Sequence, residues 1–522
     1  MIGDLINDSG KDQWITTGDQ LKINGKVTDN NADAGTIVVK SSPDKPTGTL
    51  LFADPEKNKD VEATVEFYNR AYDCADCGFY TRSWQYFGIP VKNASFPYSD
   101  VGGDETVNQW VESFNGNKWQ PAPDTPDTEL KAFKGYQMTN NIDTKPTAVY
   151  DFKGTLNTGD AAVPLTRTTN VNYPGVNLVG NSYTAAISIS EAALTFPTGV
   201  EQTVYLFNTG TRDQWKKLNG TAINHDGYKS GQYLAVPVNL GGQGNFPDRI
   251  PSMHAFMLLV ESGTGGNLSI NYSKLIKNTT VNRGDGTQIV TRSATSGSTA
   301  TTSTSTIPSL VMDVIGEQSA DRVWIFAKEG ATYGFDNGWD GRKMPESGIA
   351  QLYVADEAGK DRFQVATVPG LDNIVLGFEA DADGKYTVEF ALSDHWTTEE
   401  IYLHDLATGT KTQVTDGSSY TFEARKGTSP ARFRLSYSGN GIPRDNESAK
   451  IVVNAMADGK IAVSNNSSRD CTAFISNAGG KLVQRLEVEA GSEKVVENIT
   501  GGTYVVRLQN AVLHDVRRVN IQ

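Results

Sequence analysis

Two carboxylates and an amide oxygen fall within five residues in the loop Phe335-Asp336-Asn337-Gly338-Trp339-Asp340-Gly341, and oxygen ligands at that density are what a Ca²⁺ ion accepts. Trp339, set among them, adds a ring of the kind that stacks on a sugar face. The same residues also suit a tight double turn, in which Asp336, Asn337 and Asp340 cap their own backbone and the glycines supply positive φ. The full spaced pattern of an EF-hand loop is absent, so both readings stand. Cys74 and Cys77 are the close pair among three cysteines, and two intervening residues serve redox chemistry, half a zinc site or a local disulfide. Zinc would want a second pair, and redox chemistry a strand-then-helix setting. Neither is present, and in an oxidising exterior the expectation is a Cys74–Cys77 disulfide closing the loop before Trp84. Cys471, inside the run Cys-Thr-Ala-Phe-Ile, reads as a buried thiol.

Asp394-His395-Trp396 and His404-Asp405 set a base beside a carboxylate. No G-x-S-x-G elbow accompanies them, and they read as turn and strand-end residues. The 61 acidic residues supply many carboxylate pairs of the kind glycoside hydrolysis uses, at separations a sequence does not display. Aromatic side chains are dense between Tyr80 and Trp119. Trp84, Tyr86, Trp110 and Trp119, with Trp339 further on, are candidates for stacking on a ligand beside Asn, Asp and Gln. The competing reading is a sandwich core, because Trp84, Tyr86 and Gly88 alternate as strand residues do.

Such groups need elements to present them, and the apolar spacing says which. From Leu21 to Tyr68 the apolar residues come in short bursts: Leu21-Lys22-Ile23, Ile37-Val38-Val39, Leu50-Leu51-Phe52, then Val61 to Phe67. Asn, Asp and Gly turns separate them. Bursts at this spacing suit rungs of a β-solenoid or a small meander, since a rung buries its face only under a neighbour. Residues 1–62 are therefore read as the end of a longer array. Residues 63–282 carry alternating runs such as Ala148 to Phe152, Val204 to Phe207 and Leu268 to Tyr272, which predict an elaborated antiparallel β-sandwich with one or two short helices, for example around Val107 to Phe114.

Residues 283–306 include the tract from Thr291 to Thr306, which lacks apolar side chains large enough to pack and predicts an exposed linker or loop open to O-glycosylation. Residues 307–440 predict a sandwich or jelly roll, with strands over Arg322–Ala327, Gln351–Val354, Arg362–Ala366, Lys385–Phe390, Ser419–Ala424 and Ala431–Tyr437. Residues 447–522 divide into seven short alternating segments, the pattern of a small Ig-like sandwich. The fold class is all-β: tandem β-sandwich domains of Ig-like or jelly-roll type behind a solenoid-like N-terminal remnant.

Composition agrees and narrows the function classes. A chain of 522 residues exceeds one hydrophobic core, and its 51 glycines with abundant Thr, Ser, Asn and Asp favour short strands and tight turns. A net charge of -14 repels phosphate backbones, which argues against a nucleic-acid partner. Five histidines and three cysteines leave little for a transition-metal centre. No run of 18 apolar residues exists to form a transmembrane helix. The segment Met1 to Asp8 lacks a signal-peptide pattern, so the natural N-terminus is expected upstream. No catalytic set and no cofactor are read from the residues, Ca²⁺ at the 336–340 loop being the one ion considered.

The terminal unit resembles the C-terminal sorting domain of proteins carried by the type IX secretion system of Bacteroidetes. The residues that carry the likeness are the turn Asn477-Ala478-Gly479-Gly480-Lys481-Leu482-Val483, the segment Gly502-Thr503-Tyr504-Val505-Val506-Arg507 and the end Arg517-Arg518-Val519-Asn520-Ile521-Gln522. Where such domains usually open with Pro-Asn-Pro, this chain has Val452-Val453-Asn454-Ala455. Upstream, Arg82 to Val91, Lys134-Gly135-Tyr136, Phe152 to Gly159, Asn177 to Tyr183, Asp321 to Trp324 and Gly334 to Lys343 resemble large surface adhesins of the same secreted class. The resemblance implies an extracellular or cell-surface location. It also implies outer-membrane secretion machinery as a partner through the C-terminal domain, and a non-enzymatic role in adhesion or structural display. A glycan or host-matrix ligand fits that role, and a carbohydrate-binding or glycan-hydrolysing surface protein is the alternative.

Overall fold

The bursts between Leu5 and Tyr68 fold as stacked rungs in the computed structural model. It describes residues 2–521 other than 9, 32–34, 72, 75–80, 98–104, 123–128, 141–148, 210–231, 244–245, 280–306, 318, 345–348, 357–360, 394–399, 438–450, 457–458, 466–469, 479–480, 498 and 510–513. The Ser/Thr tract, Cys77 and Asp394-His395-Trp396 lie outside the described residues. Strand Leu5–Asn7 runs parallel to Val27–Asp29, Gln13–Ile15 to Ile37–Val39, and Gln20–Ile23 to Thr49–Phe52. Parallel neighbours one turn of chain apart are the solenoid arrangement, in which each rung covers the apolar face of the next. Ile15, Val39 and Val65 form one inward column, and Ile23 and Phe52 lie on another.

Glu62–Tyr68 ends the array. It pairs in parallel with Ile37–Val39 and antiparallel with Val149–Thr155, so one strand joins the rungs to the antiparallel sheets that follow. Its alternation is complete: Ala63, Val65 and Phe67 are buried and the residues between them are not.

The next region builds two four-stranded antiparallel sheets. One has the order Gln85–Phe87, Tyr136–Asn140, Glu105–Trp110, Trp119–Pro121, and the other Val176–Gly180, Ala255–Leu259, Thr203–Phe207, Tyr233–Pro237. The stretch expected to be a short helix near Val107 to Phe114 is instead strand and turn. Val107, Trp110, Val111 and Phe114 do have helical spacing. However, the Asn115-Gly116 turn folds Glu105–Trp110 back on Trp119–Pro121, with Gly116 at φ +139°, and Tyr136–Asn140 pairs along its other edge. Helical turns among the described residues are three short 3₁₀ segments, Glu56–Asn58, Val238–Leu240 and Tyr272–Lys274.

The chain divides into two compact units, Met1–Gly370, Gly377–Thr397 and Thr415–Pro430 in one, Leu371–Leu376, Thr398–Val414 and Ala431–Gln522 in the other. In the first, one buried apolar cluster runs from Ile15 through Trp324 and Phe326 to Val365, so rungs, antiparallel sheets and the start of the third region share a core. That third region contributes the strand order Gln351–Ala355, Arg362–Val368, Ala320–Ala327, Ser309–Ile315, Gly384–Leu392, Ser419–Ala424. The second unit pairs Ile401–Asp405 with Lys411–Val414 and with residues 433–437.

The second unit also contains the terminal sandwich. One of its sheets is Ile451–Ala455, Ile461–Asn465, Ser492–Val496; the other is Leu482–Val488, Cys471–Asn477, Gly502–Gln509, His514–Ile521. All seven are where alternation places them, around a core that includes Ile451, Val463, Cys471, Ile475 and Val506.

Candidate functional site

The loop with the densest oxygen ligands lies against the edge of the second region. Asp336 accepts from the backbone N–H of Thr332 at 2.6 Å and from its hydroxyl at 3.1 Å. Asp340 accepts from the N–H of Asp336 at 2.6 Å and from that of Thr367, on Arg362–Val368, at 2.6 Å. Asn337 reaches across the sheets: its side-chain oxygen accepts from the N–H of Gln202 at 2.7 Å. The hydroxyl of Thr203 donates to the Asp340 carbonyl at 2.8 Å, and Asn239 N–H to that of Gly338 at 3.0 Å.

Asp and Asn thus cap backbone donors, as short polar side chains in turns do, while joining residues far apart in sequence. Gly338 supplies the positive φ at +83°. Gly341 is needed for proximity, because a Cβ there would lie 2.6 Å from that of Ala235. Trp339 is half-buried, with the Lys328 ammonium 4.5 Å from its ring centre.

Beside this clasp sits a charged group that no local motif announces. Arg342 Nη1 donates to Glu201 at 2.8 Å and to Glu261 at 2.6 Å, and Nε to Asp361 at 3.2 Å. The Phe335 ring centre is 3.8 Å from the guanidinium carbon. Glu201 is fully buried and also accepts from the Tyr205 hydroxyl at 2.6 Å. Burial pushes the Glu201 carboxyl above the ordinary range, with Tyr205 and Arg342 pulling the other way. Burial also works against the Arg342 charge, but Glu201, Asp361 and Glu261 hold its pKa above the usual value. Asp340 is pushed up to about 7, by burial first, with the like charges of Asp336 and Glu201 adding to it. Among the described residues no group of three or more His, Cys, Asp or Glu side chains is disposed to hold a metal ion. The chemistry of this arrangement is attachment of one sheet to another.

The other expected site residues fall in several places. Tyr86, Trp110 and Trp119 come together in one cluster: Tyr86 stacks on Phe207 at 4.3 Å and meets Trp119 at 5.1 Å, and Trp119 meets Trp110 edge-on at 5.2 Å. Trp110 Nε1 donates to Val176 O at 2.7 Å, and the Tyr86 and Tyr233 hydroxyls are 2.7 Å apart. Tyr86 is buried, and Trp84, Trp110 and Trp119 are half-buried against the core. Phe207 and Tyr233 complete the cluster. Phe207 was signalled by the strand-like run Val204-Tyr205-Leu206-Phe207, which marks a strand without naming its neighbour, and Tyr233, on the strand Tyr233–Pro237, was not signalled.

Cys74 lies on the short strand Asp73–Cys74, and its pairing with Cys77 lies outside the described residues. Cys471 is a buried free thiol whose pKa burial pushes up to about 11. His404 Nε2 is 2.7 Å from Ser436 Oγ, both buried within paired strands, while Asp405 pairs with Arg432 at 2.8 Å. Neighbours on a strand face opposite ways, so Asp405 does not orient the His404 ring.

The model of a family described as a domain of unknown function, DUF8693, matches residues 69–437, which takes in both aromatic sheets, the clasp and Arg342. The chain belongs to this family. It is also 56% identical over 521 residues to the minor fimbrium subunit Mfa5 of Porphyromonas gingivalis, a match that covers 99% of this chain and 41% of that protein. The chain therefore spans well under half the length of that relative. Among solved structures, the BSP domain of a biofilm-associated protein aligns over 89% of this chain and 96% of its own at 9% identity, with a TM-score of 0.12. A score at that level carries no argument about fold.

Proposed function

We propose that this chain is a non-enzymatic segment of a fimbrial or surface-displayed protein, exported from a Bacteroidetes cell, whose work is structural display and adhesion. The observation that carries the reading is the 56% identity with a minor fimbrium subunit over 99% of the chain. The site geometry supports it. The clasp carboxylates accept from backbone donors, and Arg342 is held by three acidic side chains, which suits a protein that must resist separation of its sheets.

In this reading the seven-stranded terminal sandwich serves as the sorting domain recognised by outer-membrane secretion machinery, and other fimbrial components are the assembly partners. The experiment is truncation at Ser448 in the native cell, followed by surface proteolysis and fractionation. Loss of the shortened protein from the surface, with its accumulation inside the envelope, is the expected result. Surface display equal to that of the full chain overturns the sorting role.

A further inference from the structure

The first rung of the solenoid has an unfinished edge. In a parallel ladder alternate residues bond to one neighbouring strand, and the residues between them face the other way. Leu5 N–H donates to Lys26 O at 3.0 Å and Asn30 N–H to Asn7 O at 3.0 Å. Likewise Gln13 N–H donates to Thr36 O at 2.8 Å and Lys40 N–H to Ile15 O at 3.0 Å. Ile6 and Trp14 therefore direct their backbone groups to the opposite side, and among the described residues no strand pairs with that side.

One point on that edge is already occupied, by the chain itself. Ile2 N–H donates to Lys22 O at 3.1 Å, and Asn24 N–H donates to Ile2 O at 2.9 Å, which places Ile2 in parallel register with Ile23. Ile2 stands to Ile23 as Ile23 stands to Phe52, one level higher on the same column. Its side chain is 37% exposed where the two beneath are buried. The column is laid for another level and lacks its cover. The fimbrial relative is longer than this chain, which covers 41% of it.

We propose that this edge is the seat of a further parallel rung, contributed by polypeptide directly preceding Ile2 and laid over Leu5–Asn7, Gln13–Ile15 and Gln20–Ile23 in the register Ile2 sets. Its chemistry is that of the rungs below: apolar side chains above the Ile15 and Ile23 columns and unpaired amides facing Ile6 and Trp14. A second copy of the chain fits less well, since it would meet Ile2 already bonded to Lys22, and a covalent rung avoids the translational entropy of association.

The test adds a duplicate of residues 2–22 directly ahead of Ile2, so that Ile2 continues the added rung as Ile23 continues the first. Amide exchange at Ile6 and Trp14 is expected to slow by at least about tenfold, reflecting new ladder bonds. The thermal midpoint is expected to rise by about 2–4 °C. A shuffled duplicate of equal composition gives neither effect. Unchanged exchange, with the added residues cleaved by protease as readily as the shuffled ones, overturns the proposal. So does protection of the Trp14 amide in the 522-residue chain that grows with protein concentration, because that result seats a second copy on the edge. Surface location is read separately by the truncation at Ser448, so the two claims fail independently.

Discussion

Arg342 is held by residues drawn from three stretches of chain, and its removal leaves Glu201 as a charge with no exposed surface. Breaking a buried pair by deleting one partner typically costs about 3–5 kcal/mol, while replacing both by apolar or neutral groups costs far less. Arg342→Ala is therefore expected to lower stability to urea by that order, and Arg342→Met combined with Glu201→Gln to recover most of it. A double variant as unstable as the single one would show that packing, not the unpaired carboxylate, is responsible. Asp340 gives a pH signature. Its carboxyl, near ~3.9 in an unfolded chain, is pushed up to about 7 in the fold, so the folded state binds the proton more tightly. That contribution is complete below the unfolded value and is lost as pH rises through about 7. Thermal midpoints followed by tryptophan fluorescence should fall between pH 5 and 8, and fall less in Asp340→Asn; an equal slope in the variant would place the titration elsewhere. The loop's two readings, cation site or capped turn, were visible from Asp336 to Asp340 alone. Glu201, Tyr205 and Asp361 were not, because nothing local marks Glu201 or Tyr205 as neighbours of an arginine more than a hundred residues on, or singles out Asp361 as its partner 19 residues further along.

Among the elements, close backbone approach between sheets sets the tightest constraint. Gly88 follows the strand Gln85–Phe87 and Gly180 ends Val176–Gly180; a Cβ on Gly88 would lie 2.6 Å from Gly180 Cα, and one on Gly180 would lie 2.5 Å from Lys134 O. These neighbours are backbone and have no rotamer to yield. Gly180→Ala is expected to cost about 1–3 kcal/mol as an overpacking change, and Gly3→Ala, where a Cβ meets nothing and the backbone is not left-handed, serves as the control for surface substitution. If Gly180→Ala matched the wild-type denaturation midpoint, the two sheets would not be in contact as described. Strand alternation was readable where burial falls on one face, as in Gly384–Leu392, Cys471–Asn477 and Gly502–Gln509, each of which was anticipated. Ser309–Ile315, Ile374–Ala380 and Lys411–Val414 were not: Ile374–Ala380 is buried on nearly every residue and Lys411–Val414 on one alone, so neither displays a clean period of two. Val107 to Phe114 shows the converse, a helical period overruled by an Asn-Gly turn and two partner strands.

At the scale of the whole chain, rungs, antiparallel sheets and the start of the third region share one core, and the terminal sandwich has its own. The proposed place of this all-β body on a cell surface rests on its 56% identity with a fimbrium subunit. The most direct test of that claim is immunogold electron microscopy of intact, unpermeabilised native cells with antibody raised against residues 1–437. The account predicts gold on the outer surface and along surface filaments, absent from a strain lacking the protein. Label that appears only after the envelope is opened would contradict it.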